Sequence, residues 1–257
     1  AAGQSTNIGT KNETSAATDM EKMGTSKRGR TLVPPAGWAF AIWAPIFIGE
    51  LLMVTYQAQL PEASSLAPII RKVTGPYVLA QTFQSLWTAS FRPKYNQGWY
   101  KYISALNLAG IALSLSFCHS AYSNAENVST NDYLLNFLPL SLHFGWTTAA
   151  SLVNLNGMFA LESTSPQQVA WLGHASVVVA TAVGAITTYV RSAPVYGGVI
   201  TWALSAVASG LTKRIADTEK VETETVGVYG AERQRLLSIS GAIVCALSSL
   251  VVIISQK

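Results

Sequence analysis

The sequence predicts an all-α fold, a polytopic transmembrane helical bundle of about seven spans, and three observations carry that prediction. Hydrophobic residues make up 49% of the 257 and charged residues only 12%, a balance rarely met in a water-soluble domain of this size. The apolar residues are gathered in long runs, the first of which, 34–57, holds Glu50 as its single ionisable residue. At about 1.5 Å per residue such a run crosses a hydrocarbon core of roughly 30 Å. Third, the basic residues alternate between loops in the way membrane topology requires.

The spans are placed in order. Residues 1–33 are rich in Ser, Thr, Gly, Asn and Lys; they cannot build a core, and they are expected to order only against another membrane-protein subunit. The first span, 34–57, carries Trp38 and Trp43, five apart, so one is expected at the interface and the other inside the bundle. A polar connection, 58–75, leads to a short second span, 76–91, which ends at Arg92, Pro93 and Lys94. Trp99, Tyr100 and Tyr102 make an interfacial aromatic group at the head of the third span, 101–122. The remaining spans are placed at 134–161, 169–190, 196–211 and 236–255, with a charged loop at 212–235.

Seven spans put the termini on opposite sides, and 13 of the 17 Lys and Arg residues then fall on the side of the N-terminus. That side is expected to be cytoplasmic or its stromal equivalent. The net charge of +4 is accounted for by these loops, so no nucleic-acid partner is expected. The chain begins at Ala1, which fits a processed precursor and an organellar address. Cys118 and Cys245 lie inside apolar runs and read as small buried hydrophobes.

Polar residues in three spans share one helical face each: Gln81, Gln84 and Thr88; Asn107, Gly110, Ser114 and Cys118; His143, Thr147, Ala150 and Asn154. Such stripes serve either interhelical hydrogen bonding or a ligand pocket, and the sequence leaves both open.

Three motifs then fall in order. Pro34, Pro35, Gly37, Trp38, Phe40 and Trp43 open the first span; Gln81, Gln84 and Trp87 form an amide-x-x-amide-x-x-Trp signature; Pro139, Leu142, Gly145, Trp146, Ala150 and Asn154 mark the fourth span. In these the chain resembles the TspO/MBR family, the translocator or tryptophan-rich sensory proteins, and its longer members in particular. The resemblance implies a bundle core that binds tetrapyrroles, sterols or other flat hydrophobic molecules. Its ligand-contacting residues would be Trp38, Trp43, Gln81, Gln84, Trp87, His143, Trp146 and Asn154. The family's first hydrophobic helix is replaced here by the polar extension. The expected organisation is therefore a 1–33 extension, a four-helix TspO-like region at 34–161, and three additional helices at 162–257. One wall of the family's pocket is then left for a later span or another protein to supply.

Two glutamines stand where the family has asparagines, and His143 stands where it has an aromatic residue. A neutral imidazole is an axial ligand for heme iron or chlorophyll magnesium, so His143 is read either as such a ligand or as a hydrogen-bonding group. The same two readings hold for His119 and His174, nearer the span ends. Glu50 is expected to accept from the glutamine stripe or to pair with an imidazole. Motifs for catalysis or for a metal held by protein ligands alone are absent, and the protein is not expected to be an enzyme. Two functions follow: an accessory subunit of a larger membrane complex, such as a thylakoid photosystem, holding chlorophyll or another tetrapyrrole, carotenoid or lipid; or a free-standing tetrapyrrole or lipid sensor or carrier.

Overall fold

A computed structural model describes residues 31–92, 95, 98–125, 129–163, 165–216 and 230–255. Seven long helices dominate: α1 (Trp43–Gln59), α2 (Ala67–Ser90), α3 (Lys101–Ser123), α4 (Leu138–Glu162), α5 (Pro166–Val190), α6 (Pro194–Ala216) and α7 (Ala231–Ser255). No strand occurs among the described residues. A 3-10 turn, Gly37–Ile42, leads into α1, and a π-helical turn, Tyr133–Phe137, leads into α4.

Five of these segments are long and apolar enough to cross a membrane by length and composition: Gly37–Gln59, Gly98–Ser123, Pro166–Val190, Pro194–Ala216 and Ala231–Ser255. The other two, α2 and α4, are more polar for different reasons. In α2 the first turns carry Arg71 and Lys72, and in α4 the polar side chains point into protein, because α4 is the central helix and packs against α1, α3, α5 and α6. A helix surrounded by other helices has little need of an apolar rim. Outward faces are apolar: Leu51 on α1, Phe117 on α3, Ile186 on α5 and Ile254 on α7 are each more than 60% exposed, as lipid-facing residues must be.

The second span begins earlier than the sequence indicates, at Ala67 rather than residue 76, with Pro76 inside the helix. Proline removes one backbone donor, which neighbouring helices tolerate in a membrane bundle. Likewise the last two spans reach into the charged loop, to Ala216 and back to Ala231; residues 217–229 lie outside the described residues. So do residues 1–30, to which most of the expected partner-binding extension belongs. Its last residues are part of the bundle: Thr31, Leu32 and Val33 are all buried, and Arg214 of α6 donates to the Thr31 carbonyl at 2.8 Å.

Glycines set the closest helix approaches. A Cβ on Gly49 would lie 3.0 Å from Pro139 Cγ, so α1 crosses α4 at these two residues. A Cβ on Gly210 would lie 2.9 Å from the Pro34 carbonyl oxygen; its absence lets the strap of residues 31–36 lie in a groove of α6, where the Ala36 amide donates to the Ala206 carbonyl at 2.9 Å.

Candidate functional site

The crossing of α1 over α4 places the residues around it. Trp43 is the hub: it stacks on Phe47 one turn further along α1 at 5.1 Å and faces Trp87 of α2 at 6.2 Å and 27°. It meets Trp146 of α4 edge-on at 6.2 Å, and His143, also edge-on, at 5.7 Å. Trp87 continues the aromatic wall onto Phe91 at 5.3 Å, and Trp146 continues it onto Phe40 at 5.7 Å. Offset and edge-on pairs at these distances are the favoured aromatic geometries.

Beside this wall lies a cavity of about 170 Å³. Phe40, Trp43, Trp87, Phe91 and Trp146 form its aromatic side, and Ala149, Ala150, Leu152, Val153 and Asn154 its α4 side. The far side comes from the two following helices, Ser176, Val177 and Ala180 on α5 and Ile200, Ala203, Leu204 and Val207 on α6. Val33 and Pro35 of the strap complete the lining. The wall expected from a later span or another protein is thus supplied by α5 and α6.

Of the eight site residues read from the sequence, Trp43, Trp87, Trp146 and Asn154 line this cavity. Trp38 does not. It packs edge-on against Trp202 of α6 at 4.6 Å, and its indole N–H donates to Ser209 Oγ at 3.4 Å. In turn Trp202 donates to the Ala39 carbonyl at 3.1 Å, so Trp38 and Trp202 clamp the 3-10 turn onto α6. Gln81, Gln84 and His143 form or flank a separate polar centre.

That centre is built on Glu50, one residue past the Gly49 crossing and 5% exposed. Its Oε1 pairs with His143 Nδ1 at 2.7 Å, and its Oε2 accepts from Gln81 Nε2 at 3.0 Å. Glu50 thus does both of the things expected of it, accepting from the glutamine stripe and pairing with an imidazole. His143 is fully buried, and its Nε2 has no hydrogen-bond partner. A carboxylate on one ring nitrogen with the other left free is the arrangement that orients metal-ligating histidines, but His143 is not among the residues that line the cavity. Gln84 is buried, with its Oε1 unpartnered.

Elsewhere the polar stripes hydrogen-bond between helices. Ser104 of α3 donates to Asn154 Oδ1 at 2.9 Å, Asn107 donates to Ser90 Oγ at 3.3 Å, and the Cys118 thiol meets the Val73 carbonyl at 3.6 Å. Closer to the start of α4, the π-helical turn presents Asn136, whose Oδ1 accepts from Gln57 Nε2 at 2.8 Å and from Tyr122 at 3.4 Å. His174 joins α5 to α7 through Gln234. His119 is fully buried with neither ring nitrogen partnered, against Phe137 at 4.5 Å and Phe144 at 5.5 Å. Among the described residues no group of three His, Cys, Asp or Glu side chains is placed to hold a metal ion.

Sequence reasoning did not identify the α5 and α6 wall or the strap. Ser176, Ala180, Ala203 and Val207 are small or aliphatic residues inside apolar runs, where nothing distinguishes a cavity wall from ordinary packing. Gly210 offered the one available signal, a small residue on a helix that a second backbone approaches.

No curated protein and no solved structure matches the chain. The family of TSPO-like proteins matches residues 9–231, a span that takes in the strap and six of the seven long helices. An all-helical bundle with membrane-crossing helices, a tryptophan-lined interior and this match over most of its length make the chain a member of the TSPO-like protein family.

Proposed function

We propose that this integral membrane protein is a non-enzymatic binder of long or flat apolar molecules, held in the cavity beside Trp43, Trp87 and Trp146. The observation that carries the reading is the cavity of about 170 Å³, walled by five aromatic side chains and by small and aliphatic residues of α4, α5 and α6. Left empty it would cost roughly 4 kcal/mol at about 24 cal/mol per Å³, and an apolar guest recovers that cost. The volume also sorts the guests. Sites for whole drug-sized ligands run to about 300–1,000 Å³, so this packing suits a carotenoid end or a lipid chain. A macrocycle would require the strap at Val33 and Pro35 to move.

A second reading, a chlorophyll or other tetrapyrrole with His143 as axial ligand, is favoured by the Glu50–His143 pair and the unpartnered Nε2. His143 would have to reach the guest from behind Trp43, which it touches edge-on. The two guests separate by visible absorbance and by their response to His143→Phe: a coordinated pigment is lost, and a polyene or lipid is kept.

We further propose that the protein works as an accessory subunit of a larger membrane complex, with a thylakoid photosystem as the favoured setting and the N-terminus on the stromal side. The one-sided distribution of Lys and Arg supports the orientation. A polar extension with no core of its own, leading into a strap fixed on α6, supports contact of residues 1–30 with a neighbouring subunit. The rival is a free-standing sensor or carrier. Mild extraction of the native protein, followed by identification of the co-migrating proteins and pigments, tests both claims. Co-migration with a stable set of membrane subunits and an apolar guest is expected; a protein that runs alone overturns the accessory role, and one that carries no apolar molecule overturns the binding role.

A further inference from the structure

A second pocket, of about 250 Å³, opens at the end of the bundle where α3 and α5 finish and α6 begins. It differs from the first in carrying a cation. Arg191, the residue after α5, lines it together with Tyr133, Phe137, Ser123 and Ser192. The guanidinium is held in place: Nη1 donates to the Ser116 carbonyl and Nη2 to Ser116 Oγ, both at 3.0 Å, and its carbon lies 5.6 Å from the centre of the Phe144 ring. A guanidinium has five N–H donors, so these two bonds leave donors over. Arg191 has no carboxylate partner among the described residues. Asp132, an acid on the same end, is taken up by Tyr56 at 2.9 Å and by Ser129 at 2.6 Å.

The backbone beside the arginine is constrained as well. Ser192 has φ +49°, the left-handed conformation that a helix end normally gives to glycine. The turn is closed by the Ala193 amide donating to the Thr188 carbonyl at 2.9 Å. A serine held there costs backbone strain that glycine would avoid, and strain of this kind clusters at ligand clamps and other functional sites. Ser192 lines the pocket.

We infer that this pocket is a binding site for the headgroup of an anionic membrane lipid, with Arg191 pairing with its phosphate or sulfonate oxygens. Arg is the side chain whose fork matches such oxyanions, and the pocket lies at helix ends, the depth of lipid headgroups. Phe117 on α3 and Val190 on α5, 63% and 73% exposed, offer the apolar surface along which the lipid's chains would run.

The test reconstitutes the full chain in nanodiscs of equimolar phosphatidylcholine and phosphatidylglycerol and counts the retained lipids by native mass spectrometry. Wild type should retain phosphatidylglycerol over phosphatidylcholine by about tenfold, the effect of one charge-assisted hydrogen-bonded pair. Arg191→Gln should abolish the preference, Arg191→Lys should weaken it, and Ser192→Gly, which keeps the arginine, should preserve most of it. Added inorganic phosphate should not displace the lipid. Equal retention of the two lipids by wild type overturns the inference whatever the variants do, as does an undiminished preference in a folded Arg191→Gln protein. Full displacement by inorganic phosphate would make this a site for the free anion and overturn the lipid assignment.

Discussion

Ala180→Leu is the substitution that most directly probes the cavity. Ala180 is 5% exposed and stands on the α5 wall, opposite the tryptophans. A leucine adds three carbon groups, each worth about 0.8 kcal/mol when buried, so filling the void with them should stabilise the ligand-free protein by about 2 kcal/mol. That is half of the roughly 4 kcal/mol assigned to the empty cavity of about 170 Å³, in keeping with a side chain that fills part of it. The same leucine should exclude the guest. Two measurements follow on one preparation: unfolding of the stripped protein in detergent, and mass-spectrometric counting of the apolar molecules that co-purify with the unstripped protein. Val179→Leu is the control, because Val179 is 47% exposed on the outer face of the same helix, and it should leave both measurements unchanged. The reasoning fails if Ala180→Leu destabilises the protein by more than about 1 kcal/mol, as overpacking of an already filled core would. It fails equally if the co-purifying molecules stay bound in undiminished amount.

Further outcomes follow from other contacts. Glu50→Leu and His143→Phe should each cost about 3 kcal/mol by stranding a buried partner, while the double variant should lie near wild type; additive losses in a double-mutant cycle would show that the pair is not coupled. Gly210→Val would put a Cβ 2.9 Å from the Pro34 carbonyl and should unseat the strap, seen as faster release of the bound apolar molecule and faster labelling of a cysteine placed at Val33. His119→Phe should be neutral or should stabilise by about 1–2 kcal/mol, since a ring with two unpartnered buried nitrogens is exchanged for an apolar one among aromatics; a lower unfolding temperature would point to a polar partner for that imidazole. Deleting residues 1–30 should leave the unfolding temperature unchanged and reduce co-migration with other subunits, and unaltered co-migration would remove the extension from the interface.

The helices were largely legible because crossing a membrane demands long apolar runs, and such runs stand out in a single sequence. What escaped was decided by neighbours. Arg71 and Lys72 read as loop, with Pro76 opening the span, yet Ala67–Ser90 is one helix, since α3 packs along it and helix continuity wins over a local breaker. The tryptophans and Glu50 stood out in the sequence because such side chains are rare in spans and need partners there. Trp38 shares their chemistry but serves as a clamp on α6, a difference set by a residue more than 160 positions away. The α5 and α6 wall was not legible, because a cavity is defined by what surrounds it and alanine and valine carry no mark of facing one.

The strap has a consequence for the timing of biosynthesis. Its Ala36 amide rests on the Ala206 carbonyl, and Pro34 lies over Gly210, so the earliest described residues find their seat on a helix made about 170 residues later. At about 5–20 residues per second the growing chain spends roughly 10–30 s without that seat. For the last roughly 60 residues of that interval, about 3–12 s, Trp146 has been made and the aromatic wall of α1, α2 and α4 can form while the strap cannot close beside it. A bulky guest could be loaded then without any later opening of the finished bundle, which makes the ribosome's pace, as much as the cavity's size, a determinant of what the protein holds.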